Sequence, residues 1–275
     1  MPPKSTYLWQ EGAVFEGEKV VSNGVFDEKL LIDMLLVQPA KYKGSSGTRR
    51  LSDNISDIKA QIAANARGTA LIQALFEEYG EATVHLYMGA IQTTSKLSVQ
   101  ALLKKIHKEF GGKPLEAIDY MDDGSPIKLK ITINGDEGTA IFDFDGTGPE
   151  VYGGWNAPIA ITHSAIIYCL RCMISSDVPL NQGCLAPVDI RVPGKSILSP
   201  SKTAAVVGGN VVTSQRIIDV VLKAFRACAA SQGDCNNLTF GIEVTTDETG
   251  KQIGGFGYYE TIAGAFYTHK SLCSC

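Results

Sequence analysis

Between Ile55 and Phe110 the apolar residues recur at helical spacing, and between Ile127 and Phe144 they alternate with polar ones. Ile55, Ile58, Ile62, Ala66, Leu71, Leu75 and Phe76 are read as one apolar stripe, the pattern of a helix face. Asn54 or Ser56 offers a short side-chain oxygen to cap its start. Tyr79-Gly80 marks its end, because glycine suits the left-handed backbone that closes a helix. A second helix is predicted over Glu81–Met88 and onward through Val99–Phe110, stopped by Gly111-Gly112-Lys113-Pro114. Upstream, Phe26, Leu30, Leu31, Met34 and Leu35 predict a shorter helix. Leu8–Val14 and Val20–Val25 read as short ordered pieces, and Tyr42–Leu51 as a Gly/Ser/Arg loop.

After Pro114 the period changes. Ile127, Leu129, Ile131 and Ile133 point one way while polar residues point the other, and Thr139–Phe144 repeats the alternation. Asn134-Gly135, or Asp136-Glu137-Gly138, is a turn between them, so the region predicts a β-hairpin. Helices over 157–173 and 213–230 and strands at Val188–Val192, Thr239–Val244 and Gly255–Glu260 follow. Strands and helices do not alternate regularly. The fold class is therefore α+β, with a helical N-terminal half followed by a mixed, largely antiparallel sheet with packed helices.

Composition narrows the class of function. The 275 residues are 44% hydrophobic and 20% charged, as in a soluble protein large enough to bury a core without staples. The net charge of -4 is spread along the chain, so nothing forms the basic stripe that nucleic acid requires. Lys41, Lys43, Arg49 and Arg50 make a short basic cluster in a solvated loop. No apolar run reaches the ~18 residues of a membrane span. Met1-Pro2-Pro3-Lys4 lacks the apolar core of a signal peptide. Seven irregularly spaced cysteines indicate reduced thiols and a cytosolic location. Cys169 and Cys172 fall in a predicted buried helix with no second pair nearby, so they read as small hydrophobes. His85, His107, His163 and His269 are scattered. No metal site and no Ser-His or Cys-His pair is assigned.

Candidate chemistry lies in four polar loops: Phe142–Pro149, Leu180–Cys184, Val207–Arg216 and Ser231–Asn237. Glycine beside amides and hydroxyls lets backbone N–H groups approach a small polar ligand. The third loop opens a helix, and a helix start attracts a carboxylate; Arg216, one turn in, adds a bidentate clamp. The same residue types also build ordinary turns and caps. Asp143 and Asp145 share a strand face that serves either acid/base or cation chemistry or simply solvation. Gly208-Gly209 lacks the lysine and spacing of a P-loop.

Several of these segments, taken together, resemble the hydantoinase B/5-oxoprolinase family. They are Ser56–Asn65, Gly146–Glu150 with Gly153-Gly154-Trp155-Asn156-Ala157-Pro158, Pro179–Cys184, Gly208-Gly209-Asn210 with Thr213–Arg216, and Ser231-Gln232-Gly233 with Asn236–Gly241 and Gly257–Gly264. The ending is most similar to the eukaryotic-type 5-oxoprolinase branch. The resemblance spans residues 1–264 as a partial domain and leaves 265–275 as an unrelated tail. It implies a fragment, short at both ends, of an ATP-dependent hydrolase that opens the lactam of 5-oxo-L-proline to L-glutamate in the glutathione cycle. Alternatives are a hydantoin-ring hydrolase or acetone-carboxylase-like subunit, or an inactive partner-binding remnant. ATP and magnesium are implied for the complete enzyme through a hydantoinase A-type ATPase region or subunit. None is expected on this chain alone, which is expected to be inactive by itself. Substrate contacts are expected at Asn181, Gln182, Asn210, Ser214, Arg216, Ser231, Asn236 and Glu260, converging on one small-molecule pocket. Apolar faces left without neighbours make homo-oligomers possible.

Overall fold

The computed structural model describes residues 4–45, 47–227, 235–242 and 244–263. A short turn of 3-10 helix, Leu8–Gln10, leads into a two-stranded hairpin of β1 (Val21–Ser22) and β2 (Val25–Phe26). Helix α1 (Glu28–Ile32) starts under the Asp27 carboxylate, which accepts the Leu30 N–H at 2.9 Å. It runs through a π-helical turn, Asp33–Val37, into α2 (Gln38–Ala40).

Two helices of 29 residues follow, α3 (Leu51–Tyr79) and α4 (Glu81–Glu109), separated by Gly80 alone. Gly80 has φ 83° as the helix-stop reading requires, but its ψ of 142° is extended, so α4 begins at once without a loop. The start of α3 differs from the sequence expectation. Asn54 and Ser56 lie inside the helix. Asn54 accepts a hydrogen bond from the Thr48 hydroxyl and Ser56 donates to the Ser52 carbonyl. No side chain caps Arg50, the residue before the helix.

The sheet has the order β3 (Leu115–Tyr120), β4 (Pro126–Asn134), β5 (Thr139–Asp143) and β6 (Val188–Arg191). The first three strands are antiparallel and β6 joins β5 in parallel, so the sheet is mixed as expected. The predicted hairpin is β4–β5, and β3 is an additional strand. Ile127, Leu129, Ile131 and Phe142 are fully buried on one face, each burial contributing about 1.5–3 kcal/mol. The second half of α4 packs on that face through Val99, Leu103 and Ile106, joined by α5 (Ile159–Met173) and α6 (Ser214–Ala224). Helix α6 is shorter than its sequence pattern, because Arg226 takes φ 52°, outside helical backbone.

The opposite sheet face is charged. Register places Glu116, Lys130, Asp143 and Arg191 in one row across the four strands, alternating in sign. Asp143 thus lies on the charged side of the sheet, where Lys130 stands 3.9 Å from Glu116, and it accepts the Asp145 N–H at 3.0 Å. Further on, β7 (Cys235–Ile242) pairs antiparallel with β10 (Phe256–Ala263), enclosing the short strands β8 (Thr245–Thr246) and β9 (Gln252–Ile253).

Candidate functional site

The motifs at 153–158 and 207–213 interlock backbone to backbone. The Gly208 N–H donates to the Gly154 carbonyl at 2.5 Å, and the Thr213 hydroxyl donates to the Trp155 carbonyl. A Cβ on Gly154 would stand 2.7 Å from Val207 Cγ1. Fully buried Asn156 is the keystone. Its amide nitrogen donates to the carbonyls of Val151, Gly153 and Ala205 at 2.9–3.0 Å, and its oxygen accepts the Val151 N–H at 2.9 Å. All four of these hydrogen bonds go to backbone.

Two carboxylates from distant sequence complete this junction. Glu11 accepts the N–H groups of Val206 and Val207 at 2.9 Å and the Ser5 hydroxyl at 2.7 Å. Glu150 accepts the Ser201 N–H at 2.6 Å and its hydroxyl at 3.1 Å. Sequence reasoning missed the role of both, because their partners are remote along the chain, 51 residues away for Glu150 and 195 for Glu11.

The helical path at the third loop begins earlier than the pattern implied. A π-helical turn, Gly209–Thr213, precedes α6. The N–H groups of Val211, Val212 and Thr213 all turn onto the Gly208 carbonyl, at 3.2, 2.8 and 3.3 Å. Those amides are therefore engaged internally rather than aimed at a ligand. Asn210 is exposed, and the Ser214 hydroxyl donates to the Asn210 carbonyl at 2.9 Å. These two expected site residues share one turn.

Arg216 points elsewhere, toward β3. Its guanidinium lies 3.5 Å from Asp119 and 3.6 Å from Asp219, with Lys223 4.0 Å from Asp119. The network ties α6 to β3. Asn181 sits in a different clasp. Its amide nitrogen donates to the Ser95 hydroxyl of α4 at 2.9 Å and to the Pro179 carbonyl at 3.1 Å, while its oxygen accepts the Gly183 N–H at 2.8 Å. Gly183 presses so closely on the Gln92 carbonyl that no Cβ fits there. The 180–184 loop thus fastens the base of α4 to the core, leaving Gln182 exposed.

Ser231 lies outside the described residues, as does the side chain of Asn236, whose backbone pairs with Ile262 in the β7–β10 ribbon. Glu260 in β10 accepts a hydrogen bond from the Tyr258 hydroxyl, which raises the tyrosine's pKa. Cys169 is buried and donates weakly to the Ile218 carbonyl at 3.9 Å, but Cys172 is exposed, contrary to the reading of both as core residues. Trp155 donates its indole N–H to Asp123 at 3.1 Å. Burial pushes the Asp123 carboxyl up, yet hydrogen bonds from Ser125 and Trp155 outweigh it and hold the group below the usual carboxylate range.

Among the described residues no three His, Cys, Asp or Glu side chains gather to hold a metal. The glycines at 208–209 are pressed against Gly154 and Asn156 rather than open to phosphate. Among the described residues no helix is long and apolar enough to cross a membrane.

The sequence model of the Hydantoinase B/oxoprolinase family matches residues 1–267. The chain is 53% identical over 265 residues to the 5-oxoprolinase of Saccharomyces cerevisiae, covering 96% of this chain and 21% of that protein. It is 52% identical over 276 residues to 5-oxoprolinase 1 of Arabidopsis thaliana, again covering 96% of this chain and 21% of that protein. The chain therefore spans about one fifth of the length of these curated relatives. Among solved structures, the ATP-dependent caprolactamase of Pseudomonas jessenii superposes with a TM-score of 0.68 at 17% identity, covering 92% of this chain and 44% of that one. That likeness establishes a shared fold. With the family model matched across almost its whole length, this chain belongs to the hydantoinase B/oxoprolinase family.

Proposed function

We propose that this chain is the B-type region of an ATP-dependent 5-oxoprolinase, which hydrolyses the lactam of 5-oxo-L-proline to L-glutamate and so serves glutathione metabolism. The observation that carries the reading is identity above 50% with 5-oxoprolinases of a yeast and a plant over 96% of the chain. The solved structure that shares the fold is that of an ATP-dependent caprolactamase. A lactam is a poor electrophile, so coupling its opening to ATP is chemically reasonable. The ATP and magnesium chemistry is assigned to an A-type ATPase region, and no step is routed through this chain's loops.

The part left to this chain is substrate positioning. Asn210 and Ser214 present amide and hydroxyl groups from one turn beside the interlocked glycines. Arg216 is the candidate for the substrate carboxylate, reached by exchanging one of its two aspartate partners for the ligand. Asn181, Gln182, Asn236 and Glu260 are secondary candidates. The irregular cysteine spacing supports a reducing, cytosolic setting. ADP release by the chain combined with an A-type region, with 5-oxoproline or hydantoin as substrate, tests the reading. Release driven by 5-oxoproline supports it. Release driven by hydantoin alone moves the chain to a hydantoin-ring hydrolase.

A further inference from the structure

We infer that the tip of the α3–α4 hairpin, residues 71–91, is a protein docking surface. Its occupant is another region of the same enzyme, presenting an apolar groove edged by lysine or arginine side chains. The inference rests on the reading of this chain as one part of a larger enzyme, but not on which lactam that enzyme opens.

The apolar surface comes first. Of the 29 residues of α3, Ile55 alone is buried. At the far end Leu86 is 69% and Tyr87 65% exposed, and Leu71, Leu75, Met88 and Ile91 are also exposed. Helix α3 is apolar on two sides. The single stripe expected from the sequence divides in two: Ile55, Ile62 and Phe76 form one, while exposed Ala60, Ala64, Gly68, Leu71 and Leu75 form another on the opposite side. A helix that is apolar on more than one face belongs inside a larger assembly.

Charge chooses the occupant. No lysine or arginine occurs between Arg67 and Lys96, whereas Glu77, Glu78 and Glu81 surround the turn at Gly80. His85 lies 3.6 Å from Glu81 and does not reverse the sign. A second copy docked tip to tip would bring like charges together at an apolar contact, which is disfavoured. A complementary partner supplies basic groups at its rim. The relatives provide the length for one, since the matched segment is 21% of the yeast and plant enzymes.

The test replaces the matched segment of the Saccharomyces cerevisiae relative with this chain carrying Leu86→Cys, and compares maleimide labelling of that thiol with labelling in the free chain. Peptide-level mass spectrometry separates it from the native cysteines. The expected result is labelling about tenfold slower in the chimera, with the fast rate restored by Glu77→Lys, Glu78→Lys and Glu81→Lys together. Should the chimera not fold, the free chain mixed with the yeast polypeptide lacking the matched segment gives the same readout. Equal rates, or protection indifferent to the charge reversal, overturn the proposal. So does labelling of the free chain that slows as its own concentration rises, which assigns the tip to a second copy. Thiol access is read without turnover, so an enzyme inactive on 5-oxoproline that still protects the tip counts against the substrate and not against the surface.

Discussion

Gly209 lies against the backbone of Asn156, where an added Cβ would stand 2.5 Å from the Asn156 carbonyl oxygen and 2.9 Å from Ala157 Cα. Neither neighbour is a flexible side chain, so the junction itself must yield. Gly209→Ala is expected to cost about 1–3 kcal/mol, read as a lowered urea midpoint. Gly89→Ala in exposed α4 meets nothing within 4 Å and is expected to stabilise by about 0.5–1 kcal/mol through helix propensity. Equal effects at the two sites would refute the interlock.

Asn156 gives a sharper chemical test of the same junction. Its amide nitrogen serves three carbonyl oxygens, and a carboxylate of the same shape has no N–H to offer them. Asn156→Asp is expected to cost about 3 kcal/mol or more. The loss should shrink toward low pH, where protonation removes the buried charge and restores one donor. Calorimetric melting across the acid range reads it. A variant as stable as the parent at neutral pH would mean that Asn156 does not hold the loops.

The sequence made the sheet's centre and the helical hairpin legible for a definite reason. Ile127, Leu129 and Ile131 alternate with lysine and threonine, and Gly80 interrupts a long apolar stripe. Strand β3 escaped because its inner face is Leu115, Ala117 and Asp119 while its outer face includes Ile118 and Tyr120, so alternation lacks contrast. The motif glycines and asparagines were visible, but their job was not. Asn156 and Ala205 meet across 49 residues, Asn181 and Ser95 across 86, and Glu11 and Val206 across 195. Nothing local to Asn181 distinguishes a clasp on a helix from a ligand contact. For Arg216 the sequence did offer a structural partner one turn on, Asp219, which stands 3.6 Å away, but the second partner, Asp119, lies on a strand the pattern did not reveal.

The clasp can be opened without touching the core. Ser95→Ala removes the hydroxyl that accepts from Asn181 and shares its one proton between the Ile91 and Pro179 carbonyls. A loss of about 1–3 kcal/mol is expected, together with faster hydrogen exchange at 180–184 and along the base of α4. Unchanged exchange there would show that Gly183's close fit suffices alone.

Asp123 and Trp155 provide a pH signature. The aspartate's folded pKa lies below its ordinary value, so its contribution is present above the unfolded value of about 3.9 and is lost as pH falls through the lowered folded value. Indole emission from Trp155 should therefore stay constant through the usual carboxylate range and change only at more acidic pH. Asp123→Asn should abolish that transition while leaving any signal from Trp9. A midpoint at or above the ordinary aspartate value would contradict the hydrogen-bond account.

Arg216 separates structural and substrate-binding roles. Its side chain is 32% exposed, and its partners Asp119 and Asp219 are 29% and 6% exposed. Lysine keeps the charge between these acids but loses the planar fork that grips a carboxylate in two bonds. Arg216→Lys is therefore expected to change stability by less than about 1 kcal/mol. Arg216→Ala, which leaves a mostly buried aspartate with one cation fewer, should cost about 2–3 kcal/mol. If the arginine also receives the substrate carboxylate, Arg216→Lys in the complete enzyme raises the KM for 5-oxoproline about tenfold with kcat nearly unchanged. Asp119→Asn should shift KM in the opposite direction, because it releases a competitor for the same guanidinium. A lysine variant with unaltered KM and melting temperature would confine Arg216 to its ion pairs and move the carboxylate site to Asn210 and Ser214, where Asn210→Ala then becomes the decisive substitution.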